Sequence, residues 1–142
     1  MIERVAAILM IREDGAILMQ HRDEKPGLRC AGMWGLPGGH VEHGETALDC
    51  AKRELLEETD YDANDLRFLC SINETDEFGI EIEVTFFWCR YDSTQKVTCR
   101  EGQALAFLNR SEAKNFRTPV HLWSVWDRGL FESGIITSKD IN

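Results

Sequence analysis

A chain of 142 residues can form one compact domain with a full apolar core, and its 43% hydrophobic and 29% charged residues are those of a soluble globular protein. Sixteen basic residues against 25 acidic ones give a formal charge of -9. That balance excludes broad electrostatic binding to long nucleic acid, which needs a basic face, but not a small anion carried in with a divalent cation.

The apolar run Val5–Ile11 is too short to span a bilayer and ends on Arg12, Glu13 and Asp14 without a small-residue cleavage site. No secretory signal or membrane association is therefore expected. The five cysteines (Cys30, Cys50, Cys70, Cys89, Cys99) never form C-x-x-C, so reduced thiols in a cytoplasmic protein are expected rather than disulfides or structural zinc. No linker or repeat interrupts the chain, and residues 1–142 read as a single domain.

In chain order, Val5–Arg12 and Ala16–His21 read as strands joined by a turn at Asp14-Gly15. Arg22–Gly35, with Pro26, Gly27, Gly32 and Gly35, reads as a long loop, a length usually kept for function. Arg22, Lys25 and Arg29 on it are candidates to touch phosphate. Leu36-Pro37-Gly38-Gly39 reads as a sharp backbone feature leading towards a helix over Glu45–Thr59, which lacks Gly and Pro. Leu66–Thr75 and Ile80–Trp88 follow as strands with a turn at Glu77-Phe78-Gly79. Ile80, Ile82, Val84, Phe86 and Trp88 share one face of the second. Ala104–Leu108 is a short strand and Ser111–Asn115 a helical turn. Thr118 reads as an N-cap with Pro119 at the first helical position, and Val120, Trp123, Trp126 and Leu130 form a packing stripe. Strands and two good helices in this order predict a mixed sheet covered by helices.

The chemistry lies on the Glu45–Thr59 helix. At about 100° per residue, Glu54, Glu57 and Glu58 share one arc, next to a packing arc of Leu48, Ala51 and Leu55. Three carboxylates at this spacing repel, and a hard divalent cation such as magnesium reverses that cost; a solvated acidic face is the alternative. Just upstream, Gly38-Gly39 lets backbone approach a phosphate or a metal. Gly39, Glu45, Arg53, Glu54, Glu57 and Glu58 fit G-x5-E-x7-R-E-U-x-E-E-x-G-U, with Leu55 at the first aliphatic position.

This pattern resembles the signature of the Nudix hydrolase family, including its MutT-like members. The resemblance implies an α/β/α sandwich and attack by water on a nucleoside diphosphate linked to another group. It implies magnesium, with manganese as a substitute. Glu57 and Glu58 correspond to direct metal ligands, and the Gly38 carbonyl to a further one. Glu54 corresponds to a metal-bound base, oriented by Arg53, with Glu45 as the partner of Arg53. Asp60 and Tyr61 depart from the family's last Gly and aliphatic positions; Asp tolerates the left-handed cap that the Gly would supply. Glu101, in Arg100-Glu101-Gly102-Gln103, is a second candidate base, or a surface loop residue.

Family members acting on ADP-ribose often carry a proline a little beyond the box, and none lies here between Pro37 and Pro119. A nucleoside triphosphate is favoured over a nucleotide sugar, with Arg22, Arg29 and Gly39 as substrate contacts and Trp34 and Phe78 available to stack a base. A homodimer is an open assembly. His40 and His43 have metal-like spacing but no cysteine pair to complete a tetrahedral zinc site, so polar loop residues are expected. Cys50 reads as a small buried residue. A non-catalytic nucleotide-binding module and a protein-interaction domain using the Trp123/Trp126 helix are the rival functions.

Overall fold

A computed structural model describes residues 2–135. The apolar strand β1 (Glu3–Ile11) is the axis of the sheet. It pairs in parallel along its whole length with β6 (Glu81–Arg90), from Glu3 opposite Ile82 to Ile11 opposite Arg90. The outer neighbour of β6 is the antiparallel β5 (Arg67–Thr75). The other edge of β1 is divided. At its far end it meets β2 (Ile17–His21) through the Asp14-Gly15 turn. At its near end it meets β4 (Gly38–His40), with Val5 opposite His40 and Ala7 opposite Gly38. β2 leaves β1 at this fork and carries β3 (Trp34–Gly35) and β7 (Ala104–Leu108).

The strands alternate their side chains between two apolar layers. Ala6, Ile8, Met10, Leu18 and Phe87 face α1 (Ala47–Thr59), where they meet Ala51 and Leu55. Leu9, Ile11, Met19, Val84, Phe86 and Trp88 face α3 (Leu122–Ser133), where they meet Val125, Trp126 and Leu130. A short α2 (Arg110–Ala113) closes one end behind a capping box of Asn109 and Glu112. The result is the expected α/β/α sandwich, a mixed sheet flanked by helices. Among the described residues, no helix is long and apolar enough to cross a membrane.

Several boundaries differ from the sequence expectation. α1 begins at Ala47 because the Thr46 hydroxyl accepts from Asp49 N (3.0 Å) and the Asp49 carboxylate accepts from Thr46 N, a capping box that leaves Glu45 on the preceding turn. Leu48 is 46% exposed, so only Ala51 and Leu55 of the proposed packing arc meet the sheet. Gly38-Gly39, read as a sharp backbone feature leading towards the helix, forms a strand on β1, and the last two residues of the long loop form β3. α3 starts after His121, not at Thr118: the Pro119 carbonyl accepts from Leu122 N (3.1 Å) in a turn that precedes the helix. Val120 therefore lies outside the helix, exposed, and Leu122 and Val125 join Trp126 and Leu130 in the packing face.

The C-terminus of α1 is capped by Asp60 in the left-handed region (φ 64°), as expected, and its N–H donates to the Leu56 carbonyl. Its carboxylate also accepts from Arg100 Nε at 2.9 Å. Glycine at this position relieves about 1 kcal/mol of left-handed strain. The lost ion pair is exposed and screened by solvent. Asp60→Gly is therefore expected to leave the melting temperature unchanged or raise it by up to about 3 °C. A clear drop in a thermal melt would show that the Arg100 tie outweighs the backbone.

Candidate active site

Helical phase decides which glutamates of α1 turn inward. Going round the helix at about 100° per residue, Glu58 falls about 20° from Ala51, Glu54 about 60° and Glu57 about 120°. Accordingly Glu58 is buried at 1% exposure, the Glu54 side chain is 16% exposed and that of Glu57 58%.

Arg53 is the hub that braces this face. Its Nε and Nη2 donate to the two oxygens of Glu45 at 2.7 and 2.9 Å, a two-pronged pairing suited to a planar guanidinium. Its Nη1 donates to Glu54 Oε1 at 2.9 Å and to Glu57 Oε2 at 3.3 Å. The Arg53 hydrogen bonds pull the Glu45 carboxyl down to about 2. They cannot do the same for Glu54, where burial outweighs Arg53 and pushes the carboxyl above its ordinary value.

The backbone of β4 fits closely against these carboxylates. A Cβ on Gly39 would stand 2.5 Å from Glu54 Oε1 and 2.7 Å from Oε2, so only glycine lets that carboxylate reach the strand. Gly38 N donates to Glu58 Oε2 at 3.1 Å, and a Cβ on Gly38 would run into the β1 backbone, 2.8 Å from Ala7 Cα. The second oxygen of Glu58 accepts from Gln20 Nε2 at 2.9 Å. Burial still dominates, and with the negative charge of Glu101 and Glu54 it pushes the Glu58 carboxyl up to about 9.

These residues stand at one pole of a cleft of about 560 Å³. Glu54, Gly38, Gly39, Glu42 and Glu101 line that pole. Val84, Phe86, Leu122 and Pro119 give an apolar far wall, and Phe78 and Ile80 stand at the tip of the β5–β6 hairpin. Arg22 and Arg29 line the side formed by the long loop.

The cleft thus gathers Glu54, Glu101, Gly38, Gly39, Arg22 and Arg29, with Glu58 behind the backbone of Gly38. Glu45 and Arg53 brace Glu54 from outside it, and Glu57 points to solvent beside Arg53. Arg29 is not a free cation: it pairs with Glu74, whose other oxygen lies 2.8 Å from His121 Nε2. Lys25 pairs loosely with Asp23 outside the lining. Trp34 stacks on His21 with ring centroids 4.9 Å apart and packs against Phe116, whereas Phe78 does line the cleft. His40 pairs with Glu3 at 2.9 Å, and Cys50 is buried with its thiol on the Gly39 and His40 carbonyls.

Gln20, Glu74 and His121 are the members that sequence reasoning passed over. The alternation of the strands carries a signal for two of them. Gln20 shares the parity of buried Leu18, and Glu74 that of Cys70 and Ile72.

Among the described residues, no three His, Cys, Asp or Glu side chains form a ready cluster for a metal ion. The carboxylate chemistry nonetheless fits a hard cation. Glu54 and Glu58 are both pushed up by burial and by neighbouring negative charge, which a divalent ion offsets, and every donor is oxygen.

Known proteins share this architecture. The family model described as NUDIX domain matches residues 1–126. A curated relative from Bacillus subtilis (strain 168), "Putative 8-oxo-dGTP diphosphatase", is 41% identical over 58 residues, which cover 41% of this chain and 35% of that protein. The match thus spans about a third of that relative's length. The solved MutT protein from Methanosarcina mazei Go1 shares the fold at TM-score 0.76 and 20% identity, covering 92% of this chain and 94% of that one. The NUDIX domain of Shewanella oneidensis NrtR, solved with ADP ribose, does so at TM-score 0.78 and 15% identity, covering 94% and 89%. With the matched model running from β1 into α3 and the braced glutamate helix at its centre, the chain belongs to the Nudix hydrolase family.

Proposed function

We propose that this protein is a magnesium-dependent hydrolase of a diphosphate linkage in a nucleoside diphosphate joined to another group, with a nucleoside triphosphate preferred over a nucleotide sugar. The observation that carries the reading is the Glu54 carboxylate held by Arg53 against the bare backbone of Gly39 in the acidic pole of the cleft. The name of the Bacillus subtilis relative supports a nucleoside triphosphate.

In this reading Glu58, Glu57, Glu54 and the Gly38 carbonyl would hold magnesium, or manganese in its place. Such an ion, when bound, would supply positive charge to the diphosphate oxygens and a more acidic attacking water. Glu54 accepts the proton from that water, the role that suits a carboxylate aimed from a rigid helix. Arg53 fixes the direction of Glu54, and Glu45 keeps Arg53 in place. Arg22 and Arg29 face the phosphates from the loop side, and the apolar far wall takes the less polar end of the substrate.

A panel of nucleoside triphosphates, nucleotide sugars and dinucleotides, scored for phosphate or pyrophosphate release with and without magnesium, tests the reading. Magnesium-dependent pyrophosphate release from at least one triphosphate is expected. Nucleotide binding without turnover across the panel would replace the enzyme with a non-catalytic module on the same fold.

A further inference from the structure

β2 reads Ile17-Leu18-Met19-Gln20, and its side chains alternate between the two apolar layers. The position of Gln20 belongs to the row that faces α1, beside Leu18, and its side chain is 1% exposed. An amide in an apolar row is destabilising unless its polar atoms are bonded. Here Nε2 donates twice, to Glu58 Oε1 at 2.9 Å and to the Glu101 carbonyl at 3.2 Å.

The segment that carries Glu101 is tied to the same place by its backbone. Arg100 N donates to the Glu58 carbonyl at 2.9 Å and Gln103 N to the His21 carbonyl at 2.7 Å. Gly102 lies in the left-handed region (φ 81°), where a Cβ would come within 2.6 Å of the His21 carbonyl and 3.1 Å of Gln20 Cγ. The segment is thus closed over Gln20, with Glu101 lining the cleft beside Glu54.

We infer that Gln20 is a positioning residue: one buried amide fixes the Glu58 carboxylate and holds the Glu101 segment against it, so that two acidic groups far apart in sequence serve one pole of the cleft. The inference rests on the metal-dependent reading above. It adds that the geometry of Glu58 is set from β2, outside the signature helix.

Gln20→Met keeps the length of the side chain and removes both donors. The test is a titration with manganese ion followed by water-proton relaxation, with the melting temperature in EDTA as the control on folding. The manganese dissociation constant is expected to rise about 10–100-fold, the usual result of removing the partner that orients a ligating side chain. Turnover falls while KM for the nucleotide holds, and amide hydrogen exchange at Arg100 and Gln103 quickens. Gln20→Asn keeps an amide but is one methylene short, and shifts the constant in the same direction, so the test survives a methionine variant that does not fold. A lower melting temperature with an unchanged manganese constant is what a space-filling role gives, and overturns the inference while the metal reading stands. A wild-type protein that binds no manganese overturns the metal reading and this inference together.

Discussion

Glu54→Gln is expected to lower kcat by roughly 10²–10⁴-fold with little change in nucleotide binding, since a base acts mainly in the transition state. Three features single out Glu54. It sits on a helix, the rigid platform that a precisely aimed group needs. Arg53 holds one of its oxygens at 2.9 Å. Gly39 leaves room for the carboxylate at the strand. Glu101 lines the same pole from a connecting segment, so Glu101→Gln is expected to cost much less, or to act through metal affinity. Comparing kcat and magnesium dependence of the two variants decides the order. A near-normal Glu54→Gln beside a crippled Glu101→Gln would move the base to the segment.

Glu58→Gln is the second large expected effect, and it has two parts with opposite signs. With magnesium present, the variant loses a buried ligand charge, and both the metal-induced rise in melting temperature and turnover collapse. Without metal, the same change removes a liability. The Glu58 carboxyl is pushed up to about 9 in the folded protein from an ordinary 4.5, with burial as the main cause. A raised carboxyl contributes its full stability below the unfolded value and loses it as pH climbs towards the folded one. Metal-free wild-type protein is therefore expected to melt lower as pH rises from 5 to 9, by more than about 5 °C. Glu58→Gln should flatten that slope, and magnesium should flatten it in the wild type. Melting curves in EDTA and in magnesium across this range test both parts. A wild-type slope that persists in the variant would place the pH dependence elsewhere.

Much of the layout of the candidate site was legible in the sequence, because a helix converts spacing into direction. The same helix shows the limit of a motif. Glu54, Glu57 and Glu58 enter the signature as equals, yet their phases relative to Ala51 and Leu55 send Glu58 into the core and Glu57 to solvent beside Arg53. The packing residues had to be read together with the acidic ones to see it. The start of α3 was misplaced because Thr118-Pro119 obeys a sound local rule, while the chain spends those residues on a turn that brings Pro119 and Leu122 to the cleft. Glu74 and His121 reach the cleft from β5 and the threshold of α3, and Gln20 meets Glu58 behind it from β2. Only the pairing of strands distant in sequence brings them together, and no single window of sequence contains that information.

The pairing of β1 with β6 also sets the order in which the site can come into being. Glu3 lies opposite Ile82 and Ile11 opposite Arg90, and α1 falls inside the long loop that this pairing closes. Closing such a loop is entropically unfavourable before its contacts form, and parallel pairings between distant segments are slow. On the ribosome, the acidic helix is made well before β6 is available. Until β6 arrives, the face that receives Ala51 and Leu55 lacks Phe87. The apolar layer under the signature helix is thus completed only once β6 has been made, and the Arg100 N–H that meets the Glu58 carbonyl comes later still.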